Sequence, residues 1–526
     1  MWKYRLLKTL RVLISLLVLL SFAAGFSSLH RFAANAAKGE FLPALLRMVT
    51  QLSLISAVFF LVIVAVTLLV GRLYCSFCCP LGVLQDIASR LGKLLTFNKL
   101  KYRTMPDFRR TRIIVLVILI CCAVGGWMFP LGPLDPYSLF GRNAAGPGQA
   151  LFTEVNNELY GRIEAIQPLE PRPEFPPALS VLSGVILLGI LLAAVWRGRV
   201  FCNTLCPVGA LLGVLSKRAF APLRLDPEKC MKCGMCVKVC KAGCIDIRGR
   251  ELDAARCVGC MNCVSVCRFG ALGFHRRPKA AEPEKTAEAA DVSAETPLPD
   301  KGRRTFLAAA GVSGVAAFFV GRLAGNAGKL QTPANGVPPV MPPGAGNRDD
   351  FNRRCTGCGI CIANCTGHTL KPAFLEYGLA GMGQPRLSFE IGKCEYECRK
   401  CSDLCPTGAL RKLSAEEKRR CRIGEVHYYR ERCVVVTDGT SCGACAEHCP
   451  TGALQMVPYK GHLTIPHVIR DLCIGCGCCQ YICPVMDEAG KAVMIHGAAE
   501  QTSAADPRTV LEQAQPVQAE MEEFPF

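Results

Sequence analysis

Aromatic residues are scarce in this 526-residue chain, at 7% with three tryptophans. Acidic residues are scarce as well: 42 Asp and Glu stand against 61 Lys and Arg, a formal charge of +19. A basic balance invites a nucleic-acid reading, but no basic stretch interleaves with aromatic stacking platforms, and that class is set aside. Histidine is missing from every long apolar run and no C-x-x-C-H occurs, which disfavours transmembrane bis-histidine haem b and attached haem c. No Rossmann or P-loop fingerprint stands out, so nicotinamide or nucleotide chemistry would need another subunit.

What the chain has instead is hydrophobicity and cysteine: 51% of residues are hydrophobic and 34 are Cys. The length suggests three or four domains. Four apolar runs reach, or nearly reach, the roughly 20 residues a helix needs to cross a bilayer core. They are Val12 to Phe26, Leu52 to Gly71, Ile113 to Leu131 and Ala178 to Trp196; a fifth, Phe306 to Val320, is shorter and rich in Ala and Gly. Loop charge predicts their orientation, because Lys and Arg accumulate on the cytoplasmic side. Lys3, Arg5, Lys8 and Arg11 precede the first run, and nine Lys or Arg lie between Arg72 and Arg112 against Asp86 and Asp107. From Gly132 to Pro177 the balance reverses, with six acidic residues against three arginines. The N-terminus and the segment from Arg197 to Arg304 are therefore expected inside, and the fifth run carries the chain outward.

Cys230, Cys233, Cys236 and Cys240 have the spacing C-x2-C-x2-C-x3-C, repeated by Cys257, Cys260, Cys263 and Cys267. This is the run by which bacterial ferredoxins hold 4Fe-4S clusters, the fourth thiolate usually serving the other cluster. Three cysteines two residues apart cannot all find unstrained disulfide partners. Four more groups follow the fifth run. Cys355, Cys358, Cys361 and Cys365 keep the spacing, as do Cys473, Cys476, Cys479 and Cys483. Cys394, Cys398, Cys401 and Cys405 widen the first gap to three residues, and Cys433, Cys442, Cys445 and Cys449 widen it to eight. The count predicts about six 4Fe-4S clusters. An internal echo, "CPTGAL" at Cys405 and Cys449 against "CKAGCI" at Cys240, places Cys244 where the others have Ala, a small packing position. Cys478, Cys121, Cys122, Cys421 and Cys78 are likewise read as non-ligands.

A second repeat lies in the apolar half: "GRLYCSFCCPLGVL" from Gly71 and "GRVFCNTLCPVGALL" from Gly198, each following an apolar run. Pro80 and Pro207 suit the first turn of a following helix. If the two repeats pack pseudo-symmetrically, Cys75, Cys79, Cys202 and Cys206 converge; a shared metal or cluster, a thiol or disulfide pair, and purely structural roles all remain open.

With these motifs, residues 1 to 277 resemble the NapH/MauN type of ferredoxin-like membrane protein, and residues 303 to 497 are similar to the NapG/MauM type of periplasmic ferredoxin. The resemblance implies a quinol dehydrogenase-type electron-transfer subunit. It would draw on lipid and the quinone pool and feed a periplasmic reductase or carrier. "RRTFL" from Arg303 resembles the signal read by the twin-arginine export machinery, which moves folded proteins. Clusters are inserted in the cytoplasm, and unfolded threading would lose them. Quinol oxidation also needs proton acceptors, for which His30, Asp135 and Tyr137 are candidates, each with a bland alternative as an interfacial residue, helix cap or interface anchor.

The expected fold class is a multi-domain membrane protein: four transmembrane helices plus a fifth twin-arginine-type helix, with α+β ferredoxin-like 4Fe-4S domains. The expected boundaries are a membrane domain at 1–222, a cytoplasmic two-cluster domain at 223–277, and a linker at 278–302. The signal helix follows at 303–325, a Pro/Gly linker at 326–350, a periplasmic four-tetrad domain at 351–497 and a flexible tail at 498–526. Rival readings are an electron relay starting from a cytoplasmic ferredoxin, and a maturation or redox-sensing protein for a partner metalloenzyme.

Overall fold

The computed structural model describes residues 2–26, 37–96, 102, 104–160, 175–276, 338–485 and 490–506. His30, Arg303 and Arg304, the apolar run Phe306 to Val320 and the linker at 278–302 lie outside them. The chain divides into two units: residues 1–23, 35–140 and 183–323 form the first, and 24–34, 141–182 and 324–526 the second.

The first unit is built on apolar helices. These are α1 (Trp2–Gly25), α2 (Phe41–Gln51), α3 (Leu54–Val70), α4 (Pro80–Leu95), α5 (Arg109–Val124), α6 (Pro136–Asn143, its last residues in the second unit), α7 (Pro177–Arg197) and α8 (Pro207–Ser216). Leu52, left-handed at φ 48°, breaks the chain between α2 and α3 and folds them into a hairpin. Among the described residues, Leu6–Gly25 and Pro177–Arg197 are long and apolar enough to cross a membrane, and Leu54–Val70 is apolar but shorter. The third apolar run is helical only over α5, because Gly125 and Gly126 end it. Pro80 and Pro207 open α4 and α8 as expected, each with the preceding cysteine at the N-cap.

A small α+β module follows. Strand β1 (Leu223–Leu225) pairs antiparallel with β4 (Leu272–Phe274), and β2 (Ile245–Asp246) with β3 (Glu251–Leu252). The helices Met235–Val239 and Asn262–Val266 each carry the third cysteine of a tetrad, after a left-handed residue, Gly234 or Met261.

The second unit contains the antiparallel pairs β5 (Leu370–Pro372) with β6 (Pro385–Leu387), β7 (Cys421–Tyr428) with β10 (Val493–Ser503), and β8 (Leu454–Pro458) with β9 (Thr464–Val468). Two boundaries differ from expectation. Val340 and Met341, within the expected tether, are core residues: Met341 is fully buried and Val340 bridges to Leu387. Strand β10 runs past 497, resuming its register with β7 at Thr502↔Arg422 after a bulge. Gln501 on this extension accepts from the amides of Gly344 and Gly346 and donates to the Met341 and Pro342 carbonyls. A Pro-rich segment with few amides of its own is thus held by a glutamine of the neighbouring β10.

Candidate metal centres

Standard and widened tetrads are built differently, and the backbone shows why. Three cysteines at two-residue spacing wrap one centre, and the residue after the second turns into the left-handed region: Gly234, Met261, Gly359 and Gly477 occupy it. The widened tetrads have length to spare, and Arg399 and Gly443, in the same place, have negative φ. In the eight-residue gap the surplus forms a helical turn, Val434–Thr437, that buries Val435. In the three-residue gap the loop carbonyls of Glu395 and Tyr396 accept from Nζ of Lys418, a lysine only 2% exposed, at 3.0 and 3.2 Å.

The fourth cysteine of each tetrad turns away from its own three. Cys230, Cys233, Cys236 and Cys267 line one cavity of about 330 Å³, while Cys240 lies among Cys257, Cys260 and Cys263. In the second unit Cys405 joins Cys355, Cys358 and Cys361, and Cys365 joins Cys394, Cys398 and Cys401. Cys483 lines a cavity of about 370 Å³ with Cys433, Cys442 and Cys445, and Cys449 one of about 310 Å³ with Cys473, Cys476 and Cys479. All 24 predicted cluster cysteines thus fall into six groups of four, paired by exchange as ferredoxins pair them.

The residues fit 4Fe-4S clusters. Burial first, then neighbouring thiols, push Cys361, Cys401 and Cys479 well above the ordinary thiol range. Four thiolates in an apolar pocket repel one another, and cationic iron removes that cost. Among the described residues no three His, Cys, Asp or Glu side chains are grouped closely enough to hold a single metal ion. Hydroxyls reach several of these sulfurs: Thr366 Oγ1 donates to Cys398 at 3.2 Å, and Thr451 lies 3.6 Å from Cys449. Near Cys240, Cys244, expected from the sequence as a small packing residue, places its sulfur 3.6 Å from that of Cys240.

The two C-x3-C-P loops also come together. Cys75, Cys79, Cys202 and Cys206 are each 4–5% exposed, in one core, and Cys79 feels the charge of the other three. Their loops brace each other reciprocally. Arg199 donates to the Cys75 carbonyl, while Arg72 donates to the Gly209 carbonyl and the Asn203 side chain, both at 2.7 Å. The sulfurs of Cys79 and Cys206 accept the amides of Gly82 and Gly209 in the first turns of α4 and α8, yet burial first, then neighbouring thiols and acids, pushes both thiols well above the ordinary range. Cys78 stays outside this group and half-buried. Cys121 and Cys122 sit in α5, and Cys421 opens β7.

The cluster module sits on these loops. The amide of Arg199 donates to Lys241 O at 2.8 Å, Asn203 to Ala242 O at 3.1 Å and the Ser76 hydroxyl to Val258 O at 2.6 Å. One buried carboxylate fastens the junction: Asp86 on α4 receives Arg11 of α1 at 3.1 Å, Arg199 at 3.0 Å and Lys241 at 3.2 Å. Burial alone would raise its pKa, yet Arg199, Lys241 and Arg11 together hold it well below the usual carboxylate range. Another carboxylate, Glu40 at the start of α2, accepts from the Tyr74 hydroxyl next to Cys75. In the sequence Asp86 stood only as one charge in a loop, and Glu40 was not singled out. Each is a lone acid between apolar stretches, and that isolation is the only signal it gives.

Asp135 and Tyr137 are buried, both 1% exposed. Asp135 accepts the Ser138 amide at 2.8 Å, the helix-cap role, and lies within electrostatic range of Glu40 and Cys206. Tyr137 packs edge-on against Phe22, with ring centroids 5.7 Å apart. In the second unit, Arg142 donates to the carbonyls of Thr356 and Gly357 at 2.8 and 2.9 Å, seating the first tetrad loop.

Family models agree with this division. One described as a 4Fe-4S binding domain matches residues 52–98 and 178–224, the two C-x3-C-P repeats. A 4Fe-4S dicluster domain matches 229–271 and 432–486, and another 4Fe-4S binding domain matches 353–377. The methylamine utilization ferredoxin-type protein MauM of Methylobacillus flagellatus is 30% identical over 193 residues, 33% of this chain and 76% of the relative. The chain belongs to the MauM and NapG ferredoxin-type family. The ferredoxin-type protein NapG of Escherichia coli is 33% identical over 164 residues, 29% of this chain and 70% of its own. NapF of Escherichia coli, also ferredoxin-type, is 27% identical over 158 residues, 30% of this chain and 86% of its own. No solved structure matches. The chain is an iron–sulfur, ferredoxin-type electron-transfer protein with several 4Fe-4S binding domains.

Proposed function

We propose that this protein is a membrane-bound electron-transfer subunit that oxidises a quinol and delivers electrons to a periplasmic reductase or carrier, with six 4Fe-4S clusters on the six thiol groups above. A further cluster or metal would sit at Cys75, Cys79, Cys202 and Cys206. When bound, such clusters supply one-electron carriers, suited to splitting the electron pair of a quinol. The observation that carries the reading is the seat of the Cys240 to Cys267 loops on the C-x3-C-P loops, which joins a buried thiol site among apolar helices to a cluster module.

Two further features support it. Helices α1, α3, α5 and α7 turn large apolar side chains outward, among them Leu17 at 66%, Leu54 at 78%, Ile120 at 50% and Val185 at 61% exposure. Surfaces of that kind suit lipid. The second unit also gathers residues 24–34 and 141–182, the loops whose position or charge puts them outside, with the C-terminal tetrads. In this reading the segment after Arg303 is the twin-arginine-type helix. Glu40 and Asp135 are the carboxylates nearest the four-thiol site and would receive quinol protons.

The test is an EPR-monitored titration of the purified holoprotein with a menaquinol analogue, alongside the quadruple Cys→Ser variant at 75, 79, 202 and 206. Quinol should reduce the clusters of the parent, and the variant should lose iron and quinol reduction together while dithionite still reduces its other clusters. No reduction of the parent by quinol refutes the function. Unchanged iron and spectra in the variant refute the four-thiol site.

A further inference from the structure

Among the described cysteines, Cys233 alone is exposed. The other described thiols are buried or half-buried, so the group formed by Cys230, Cys233, Cys236 and Cys267 holds the most exposed thiol among them. The surroundings of that thiol are unusual in composition. Met231, Met235 and Phe269 line the same cavity and turn outward, 68%, 47% and 51% exposed. Two methionines and a phenylalanine in water serve no folding purpose, and methionine is the residue of adaptable contact surfaces. Nothing comparable lies at the partner group of Cys240, which is buried against the C-x3-C-P loops.

Charge frames the patch. Lys232, between Met231 and Cys233, and Arg268, between Cys267 and Phe269, are both exposed, as is Lys229, which pairs with Asp226 at 3.0 Å. Glu228 is the exposed acid beside them. An apolar centre over an exposed ligand, with a mostly cationic rim, has the make-up of a brief electron-transfer contact. Such contacts are small, under about 1,200 Å², and opposite charge supplies encounter rate more than affinity.

We propose that this face is a docking surface for a soluble one-electron carrier protein whose own redox centre is ringed by acidic residues. The exchange is balanced without protons: the reduced carrier loses one electron, and the centre held by Cys230, Cys233, Cys236 and Cys267 gains it. The face gives the protein a second port that does not depend on quinol.

Stopped-flow mixing of the oxidised holoprotein with a reduced, acidic 2Fe-2S ferredoxin tests this. Cluster reduction should be rapid at low salt and slow steeply as salt screens the rim. Charge reversal by Lys232→Glu with Arg268→Glu should slow it at least tenfold, and Met231→Ala with Phe269→Ala should slow it at all salt concentrations. Dithionite reduction and EPR spectra of both variants should match the parent, which separates lost docking from a lost cluster. Reduction by the menaquinol analogue should also be unchanged, so the docking face and the quinol reading fail independently. A parent that the ferredoxin does not reduce, or variants reduced at the parental rate, overturn the proposal.

Discussion

Replacing Asp86 with Asn tests the junction between the helices and the cluster module most directly. The substitution keeps size and some hydrogen bonding but removes the single negative charge facing Arg11, Arg199 and Lys241, which are 1%, 0% and 4% exposed. Breaking a buried ion pair costs about 3–5 kcal/mol, because the partner is left charged and unsolvated. Here three cations are left, so the cost should reach the upper part of that range. At about 2–4 °C per kcal/mol for a unit of this size, the unfolding midpoint should fall by roughly 10 °C or more. Since Lys241 and Arg199 sit at the seat of the cluster module, dithionite reduction should persist while reduction from the quinol side slows. Removing one orphaned cation, in Asp86→Asn with Lys241→Met, should recover part of the loss, as a coupled pair does. The sign of the pH dependence follows from the lowered carboxylate pKa. The carboxylate's stabilisation is complete above the unfolded value of about 3.9 and is lost only as pH falls through the lower folded value. Lys241, lowered by burial to about 8, loses its charge as pH rises through that value, so the deficit should shrink on the alkaline side. A variant that melts within 2 °C of the parent, or a double variant no better than the single, refutes the reasoning.

The exchanged pairing of the tetrads predicts a pattern of additivity: Cys405→Ala with Cys358→Ala should lose no more iron than either alone, whereas Cys405→Ala with Cys398→Ala should lose about twice as much. Iron analysis showing the reverse would restore sequential tetrads. Gly82→Ala and Gly209→Ala place a Cβ 2.4 and 2.2 Å from the carbonyls of Cys75 and Cys202. Each should destabilise by about 1–3 kcal/mol and disturb the four-thiol site, while Gly189→Ala, with nothing within 4 Å, serves as a neutral control in the same thermal melts.

The tetrads were legible in the sequence as regularly spaced cysteines, and exchange of the fourth cysteine was expected from that pattern. Which tetrads exchange was not, since Cys365 and Cys483 reach their groups through contacts made only when distant segments pack. The same holds for Lys418 and Asp86: a lysine in the charged run Glu416 to Arg420, or a single acid on the helix Pro80–Leu95, reads as solvated surface, and only the fold shows it enclosed by carbonyls or cations. The stretch around Val340 and Met341 misled for a different reason. Proline and glycine mark a tether by composition, but a segment poor in amides can still be core where a side chain such as Gln501 supplies its hydrogen bonds. Asp135 was legible as a cap and not as a neighbour of Cys206.

The crossed arginines carry a consequence for assembly. Arg72 satisfies a carbonyl of the second loop and Arg199 one of the first, so neither hairpin completes its own thiol loop. A single copy would be left with an arginine and a carbonyl that find no partner inside it. The smallest assembly able to form the four-thiol site is therefore a pair of these hairpins, and a change in either loop's arginine should disturb the other loop first.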